Sequence, residues 1–394
     1  MNIREAAGKK ALIIGAGIGG LCAGLALQNI GWHVTIFEKE PGLAESGAGI
    51  VLAANAMKVL EKLGAADKVR ESGKAVGKAE IRRWDGAMLT ELPVREQAER
   101  YGTPSYLIHR ALLQELLYEL VKSRGADLQF DRKLERWEQH GDKVTAAFAD
   151  GSSHSGKVLI GADGLRSTVR ERLFGTEPLR YSGFTALRGI ADYRDERYPM
   201  VDGGGFEAWG PGKRFGFSHL GQGRVFWFAA VNAPAGIAVP PGERKRQALD
   251  AFRGWYEPIG DVIAATKEDV ILAHDIYDRK PLTTWHQGLA ALLGDAAHPM
   301  LPNLGQGGAQ AMEDAWTLAQ CLVQAGDGDV SDGLLAYERL RIPRTTRVIR
   351  QSRQMGRMVQ LENPLLIAMR NGMLRTLPAD VQLRRLHWLI GFEV

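Results

Sequence analysis

Two cysteines, Cys22 and Cys321, are all that a chain of 394 residues contains. Two thiols cannot build a disulfide framework, and both fall in apolar helical patterns, as expected of reduced, buried cysteines in a cytoplasmic protein. No stretch reaches the roughly 18 uninterrupted apolar residues that a spanning helix requires, so no integral membrane segment is expected. Charge of one sign is scarce too: 50 Lys and Arg against 46 Asp and Glu leave a net +4, spread along the chain. That balance suits small anionic ligands and argues against nucleic acid as a partner. Internal repeats and low-complexity segments are missing. Arg4, Lys9 and Lys10 precede an apolar stretch, residues 11–27, in the manner of a secretory leader. Gly15, Gly17, Gly19, Gly20 and Gly24 would weaken such a leader helix, and they mark a turn within a folded domain instead.

Glycine is what the chain has in quantity, 47 residues, and three glycine–acid corners organise the rest. The first follows a buried strand, Lys10–Ile14, and reads Gly15-Ala16-Gly17-Ile18-Gly19-Gly20 before an apolar helix over residues 18–30. Gly15, Gly17 and Gly20 satisfy G-x-G-x-x-G: one makes the tight turn, one lets backbone approach a pyrophosphate, one lets helix and strand pack. A second strand, His33–Phe37, ends in Glu38, placed to accept hydrogen bonds from both hydroxyls of an adenosine ribose. The second corner, Gly161-Ala162-Asp163-Gly164, follows a short strand over residues 157–160, and Ser167 can cap the helix after it. Arg166 and Arg170 add positive charge there, or are exposed cations of an ordinary capped helix. The third follows the apolar run 289–293. Gly294-Asp295 end it, and Pro299, Pro302, Gly305, Gly307 and Gly308 keep the chain irregular. A helix then places Met312, Ala315, Trp316, Ala319 and Leu322 on one face. A glycine-lined helix start offers unpaired N–H groups and partial positive charge to something electron-rich. Taken alone, the second and third corners also fit plain strand-turn-helix connections.

Elsewhere, residues 55–63 and the segment opened by His109-Arg110 read as helices, and residues 93–104 as a polar surface excursion. Arg110 in a first helical turn is disfavoured by the helix dipole unless it meets an anion or stays solvated. Residues 47–51 are either a flexible connection or a loop facing a ligand. A hairpin pattern runs from Leu128 to Phe148. From Tyr181 to Thr284 alternating aromatic segments predict an antiparallel sheet. The expected organisation is therefore one discontinuous nucleotide-binding domain, residues 1–75, 101–178 and 285–345. Residues 76–100 and 179–284 form a second domain, and 346–394 a helical tail. Arg341, Arg344, Arg347, Arg350 and Arg353 recur every third residue and read as a solvated face, with anionic lipid or an acidic partner as the alternative. The amphipathic stretch from Leu361 to Val394 predicts packing on its own domain or on a partner subunit; peripheral membrane contact stays open.

Together, Gly15–Glu38, Gly161–Arg170 and Gly294–Gly308 resemble the three motifs of the single-component FAD-dependent aromatic hydroxylases, the class A flavoprotein monooxygenases, across about residues 8–345. The resemblance implies an α/β fold, with a Rossmann-like FAD-binding domain interrupted by an antiparallel β-sheet substrate domain and followed by C-terminal helices. It implies that Gly15, Gly17, Gly20 and Glu38, with Lys39 beside it, hold the ADP half of FAD. Arg110 and Asp163 would serve the phosphates, Asp163 also NAD(P)H, and Asp295 a ribityl hydroxyl. Gly305, Gln306, Gly307, Gly308 and Ala309 would present backbone N–H groups to the flavin, with Val51 and Leu134 as further backbone contacts. NADH or NADPH would serve as co-substrate without a fold of its own, consistent with the single G-x-G-x-x-G. Oxygen would be delivered to an aromatic or heteroaromatic small molecule through a flavin C4a-hydroperoxide, beside the Pro302 carbonyl. Arg214, in GPGKRFGF, resembles the active-site arginine of the family's urate hydroxylase, although Phe226 stands where that enzyme has a tyrosine. A turn at the surface is the other reading of Arg214, and His298 is either a packed turn residue or a base. The aromatics Phe206, Trp209, Phe215, Phe217, Phe226, Trp227 and Phe228 suit a planar substrate or a core. The sequence leaves monomer and homodimer open. A flavin reductase that wastes oxygen as peroxide, or a flavin-bound peripheral membrane protein, are the competing functions.

Overall fold

The computed structural model describes residues 8–43, 47–237, 239–326 and 329–393; Arg4 and Val394 lie outside them. Short runs of apolar residues with no polar alternation must be covered on both faces, and Lys10–Ile14, Val158–Gly161 and Ala290–Leu292 behave so. They form a six-stranded sheet in the order His286–Gln287, Ala290–Leu292, Val158–Gly161, Lys10–Ile14, His33–Phe37, Asp127–Gln129. All pairings are parallel except the first. Ile18–Asn29 is apolar around its whole circumference because it is enclosed, by the sheet and by the helices Arg110–Ser123 and Gly307–Ala325. Cys22 is fully buried in it, and burial pushes its thiol up to about 12, as expected of an inert cysteine.

The register decides where chemistry can collect. Ile14 lies opposite both Phe37 and Gly161, and Gly161 opposite Leu292. The carboxyl ends of four strands are therefore level, which is where parallel sheets bind ligands.

Five strands from between the second and third corners and two from before the second form a seven-stranded sheet, in the order Leu272–Asp278, Arg180–Asp192, Arg224–Asn232, Lys213–Gly221, Gly205–Gly210, Ala79–Arg83, Met88–Glu91. It is antiparallel apart from Ala79–Arg83, which runs parallel to Gly205–Gly210. Two helices not anticipated from sequence, Arg244–Ala251 and Ile259–Ala265, cover one face of this sheet. Phe206, Phe215, Phe217 and Trp227 alternate onto that face and need a lid. Residues 93–104, expected as a polar surface excursion, hold a helix, Val94–Tyr101, in which only Tyr101 is buried.

Val330–Val359 is one helix of 30 residues that runs unbroken through residue 345, with Pro343 inside it. Pro364–Thr376 and Ala379–Ile390 follow. The last packs Leu389 and Ile390 on Ala53, Ala54, Tyr101 and Val348. Pro364–Thr376 leaves Leu365, Leu366, Met369 and Met373 exposed. Among the described residues no helix is long and apolar enough to cross a membrane.

Candidate active site

The three corners touch. Gly15 has φ +109° and donates its N–H to the Phe37 carbonyl at 2.7 Å. A Cβ on it would lie 2.5 Å from the Ala162 carbonyl oxygen and 3.1 Å from Asp163 Cα. Gly20 is equally confined, its Cβ position 2.0 Å from the Gly15 oxygen, whereas nothing lies within 4 Å of that on Gly17. Gly17 is thus the open side of the turn, and the helix it begins has no side-chain cap. Its first N–H groups remain available to an anion. Glu38 crosses the mouth, one carboxylate oxygen accepting the Ala16 N–H at 2.8 Å and the other the Glu40 N–H at 3.1 Å. Lone pairs remain on both oxygens for a ligand hydroxyl. Lys39 turns outward, 3.8 Å from Glu40.

The second corner is built differently. Asp163 accepts from Ser167 Oγ and from the Val169 N–H at 3.1 Å, and Ser167 Oγ accepts the Arg170 N–H at 2.9 Å, so this helix start is fully capped. Burial pushes the Asp163 carboxyl up, against those hydrogen bonds. Arg170, weighed as an exposed cation, is buried. It donates to the carbonyls of Ala296 and Ala297 at 3.1 and 2.9 Å and so fastens the second corner to the third. Leu134 and Thr168 line one depression beside this corner.

In the third corner Asp295 is exposed, with Oδ1 3.9 Å from the Cβ position of Gly307. Gly305 is left-handed at φ +62° with nothing around it, and the helix Gly307–Ala325 starts without a side-chain cap. Close approach holds the helix there: a Cβ on Gly19 would meet Leu293 Cδ2 at 2.9 Å and Ala311 Cβ at 3.2 Å, and one on Gly308 would meet Ile50 Cδ1 at 2.8 Å. Val51, next to Ile50, is 41% exposed. Arg110 is exposed, its N–H on the Ala48 carbonyl at 3.0 Å.

Behind this helix start lies a buried polar network that sequence reading missed. Gln306, 2% exposed, accepts at Oε1 from Asn55 Nδ2 at 2.9 Å and from Gln310 Nε2 at 3.1 Å. Asn55 also donates to Glu313 at 2.7 Å. Glu313 receives Arg344 at 2.6 Å and Arg341; Asp314 receives Arg341 at 2.6 Å, the Gly294 N–H at 3.0 Å and His298. Burial alone would push Asp314 up; the His298 ring and the Arg341 guanidinium outweigh it and hold the carboxyl at about 2. His298 is 1% exposed and 5.2 Å from the Trp285 ring, a packed turn residue. The arginine series is therefore largely not a solvated face. Arg341 is 1% exposed, Arg344 also donates to the carbonyls of Trp388 and Leu389, and Arg353 donates to Asp278 at 2.8 Å. Arg347 lies 4.0 Å over the Trp388 ring, and Arg350 is exposed. Two buried acids on the neighbouring helix require countercharge, and that overrides any surface expectation. Glu313-Asp314 within an apolar helix stripe was the available signal.

The open face of the seven-stranded sheet turns toward residues 301–303. Leu301 packs on Phe184, Ala186, Ala230 and Ile276. Arg214 is 4% exposed, not a residue of a surface turn; it donates to Asn303 Oδ1 at 3.0 Å and lies 5.0 Å over the Phe228 ring. Pro302 precedes Asn303 and is exposed, so the Arg214 and Pro302 positions meet through Asn303. Phe226 lies against the strand Gly49–Leu52, 2.6 Å from the Cβ position of Gly49.

Comparison with known proteins finds relatives over nearly the whole length of the chain. The FAD binding domain family matches residues 9–352. The chain is 38% identical to the aurachin C monooxygenase/isomerase of Stigmatella aurantiaca over 95% of each chain. It is 36% identical to a 3-amino-4-hydroxybenzoate 2-monooxygenase of Streptomyces platensis, over 97% of this chain and 95% of that one. Klebsiella pneumoniae HpxO, in a crystal structure with FAD and uric acid, has the same fold, with a TM-score of 0.89 at 30% identity over 98% of this chain and 97% of that one. The chain belongs to the class A flavoprotein monooxygenases, oxidoreductases with FAD as cofactor.

Proposed function

We propose that this protein hydroxylates an aromatic or heteroaromatic small molecule with O2, taking electrons from NADH or NADPH along the flavin route set out above. The observation that carries this reading is an uncapped helix start at Gly307, beside the free carboxylate of Asp295 and across from the Arg214–Asn303 contact. The residues present fit FAD: two helix starts keep their first N–H groups free, and space is open at Gly17 and Gly305. Gly17 and the helix start after it, in the turn that Gly15 and Gly20 shape, take the phosphates with Arg110; Glu38 takes the adenosine ribose, with Lys39 at the rim, and Asp295 a ribityl hydroxyl. Gly305 to Ala309 direct N–H groups at the pyrimidine side of the flavin, Gln306 being fixed from behind by Asn55 and Gln310. Val51 and Leu134 add backbone contacts. Asp163 acts through the backbone, since its carboxylate caps its own helix.

Bound and reduced, FAD supplies an electrophilic oxygen atom from O2. The chain's own work is to favour negative charge at the flavin with a helix N-terminus, to orient the ring substrate with Arg214, and to keep water away with Leu301, Phe226 and Phe228. The relatives named for 3-amino-4-hydroxybenzoate and bound to uric acid support a planar ring substrate. The test is NAD(P)H consumption by the FAD-loaded enzyme across phenolic and N-heteroaromatic compounds, with labelled O2. A stimulated rate and one labelled oxygen in the product are expected. Label entering only from water, or peroxide as the sole oxygen product for every compound, would overturn the proposal.

A further inference from the structure

An arginine side chain can turn to several partners, so whatever fixes Arg214 decides what it offers a substrate. Register sets its neighbours. Arg214 lies opposite Trp209, and side chains alternate along a strand, so Glu207, two residues before Trp209, projects from the same face. The Glu207 carboxylate is 3.7 Å from Arg214 Nη1 and accepts the Trp209 Nε1–H at 2.9 Å. Asn303 is nearer, its Oδ1 accepting from Arg214 Nη2 at 3.0 Å. The guanidinium thus stands between two acceptors, one neutral and in contact, the other charged and just out of reach.

Asn303 is placed by the helix Val330–Val359. Its Nδ2 donates to the Ser352 carbonyl at 2.9 Å, and Ser352 Oγ donates to the Leu301 carbonyl. One helical residue therefore grips the turn on both sides of Pro302. The amide of Asn303 has a single orientation, because the Ser352 carbonyl can only accept and the Arg214 guanidinium can only donate. One turn along the same helix, a Cβ on Gly356 would lie 2.6 Å from Asn303 Nδ2, with Asn303 Cγ and Leu301 Cδ1 next at 3.5 and 3.7 Å. Glycine inside a helix is unfavourable relative to alanine, so the helix gains nothing from Gly356 itself. The glycine makes room for the Asn303 amide.

We infer that Asn303 is a positioning residue for Arg214: anchored by Ser352 and admitted by Gly356, it holds the guanidinium away from Glu207 and so sets how Arg214 meets the ring substrate. This rests on the hydroxylase reading, in which Arg214 orients the substrate, and adds the residue that orients Arg214. Arg214 is 4% exposed. Without Asn303 it would be a cation out of water with no close partner, which is costly, and it would close on Glu207.

The experiment uses the FAD-loaded enzyme and the ring compound that most stimulates NAD(P)H consumption in the panel above, with urate and 3-amino-4-hydroxybenzoate included. Asn303→Ala should raise KM for that compound about tenfold, the low end for a hydrogen bond to a charged group. FAD content and KM for NAD(P)H should stay at their wild-type values. Gly356→Ala should raise KM in the same direction without lowering the melting temperature, since alanine suits the helix. Adding Glu207→Gln to Asn303→Ala removes the competing carboxylate and should bring KM part of the way back. A crystal structure of FAD-loaded Asn303→Ala should show the Arg214 guanidinium on Glu207. An unchanged KM in Asn303→Ala, no recovery on adding Glu207→Gln, or an Arg214 that has not moved overturns the inference. A KM rise matched by loss of FAD or of melting temperature would make Asn303 merely structural, and overturns it too. Should Gly356→Ala fail to fold, the Asn303→Ala series decides. If no compound stimulates the wild-type enzyme, the hydroxylase reading falls and this inference with it; stimulation with the same KM in wild type and variants removes only this one.

Discussion

Within the first corner, two glycines of one motif answer to different constraints. At Gly20 a methyl group would collide with the Gly15 carbonyl at 2.0 Å, inside the protein; at Gly17 it would meet nothing within 4 Å. Backbone dihedrals at Gly17, φ −70° and ψ 175°, suit alanine. Gly20→Ala should therefore lower the melting temperature of the FAD-free protein, by more than about 2 kcal/mol of stability. Gly17→Ala should leave that melting temperature unchanged and weaken FAD binding by at least about 1.4 kcal/mol, a factor of ten. Thermal melts of both apoproteins beside FAD titrations check this. A Gly17→Ala variant with undiminished FAD affinity would mean that the phosphates do not pass this turn. Glycine spacing was legible in the sequence because turn, approach and packing are local demands. Arg170 was not: its partners are carbonyls of Ala296 and Ala297, far along the chain.

Among the elements, the helix Gly307–Ala325 depends on its acid pair. Asp314 holds the Gly294 N–H, His298 and Arg341 at once, and it is fully buried. Asp314→Asn should destabilise the protein by about 3–5 kcal/mol, the usual consequence of leaving a buried ion without its partner. The pH dependence follows in sign. Asp314 titrates at about 2 in the folded chain against an ordinary value of 3.8. Its contribution is therefore complete above the ordinary value and is lost as pH falls through about 2. Urea melts between neutral pH and pH 2 should show wild-type stability falling in that acid window, and the Asp314→Asn variant falling less. Equal slopes would deny Asp314 this part. The helix itself was legible from its apolar stripe. Its acids were passed over because their countercharges, Arg341 and Arg344, sit on a separate helix, where a three-residue recurrence resembles a surface.

At the scale of the whole molecule, the chain closes on itself. Arg344 links Glu313, on the helix Gly307–Ala325, to the carbonyls of Trp388 and Leu389 in the last helix. Leu389 and Ile390 cover Ala53 and Ala54, next to Asn55. Deleting residues 379–394 should expose these groups, at about 1.5–3 kcal/mol for each large apolar side chain uncovered, and should speed the loss of FAD on dialysis. Melting temperature and the flavin-to-protein absorbance ratio measure the two effects. Retention of FAD at the full-length rate would show that the tail does not support the cofactor corner. For the tail the sequence left packing on its own domain or on a partner subunit open, and Ala379–Ile390 packs on Ala53, Ala54, Tyr101 and Val348; the exposed row on Pro364–Thr376, from Leu365 to Met373, has no cover within the described chain.

Sequence by itself determined the strands that lead into the three glycine–acid turns, the turns themselves and the helix starts after them, but not the strand Gly49–Leu52, read as a loop. A tight turn, a close backbone approach and an uncapped helix each leave a mark within a few residues. It also determined the family, because those marks recur in one order. Only the tertiary structure decided which arginines face inward and which aromatics lie on the helix-covered face of the sheet or on the opposite one. Phe215 and Phe228 look alike as residues in alternating strands, yet one lies under helices and the other under Arg214. Charge pairing across long separations and the choice of sheet face follow from register and packing between distant segments, and neither leaves a periodic trace in the chain.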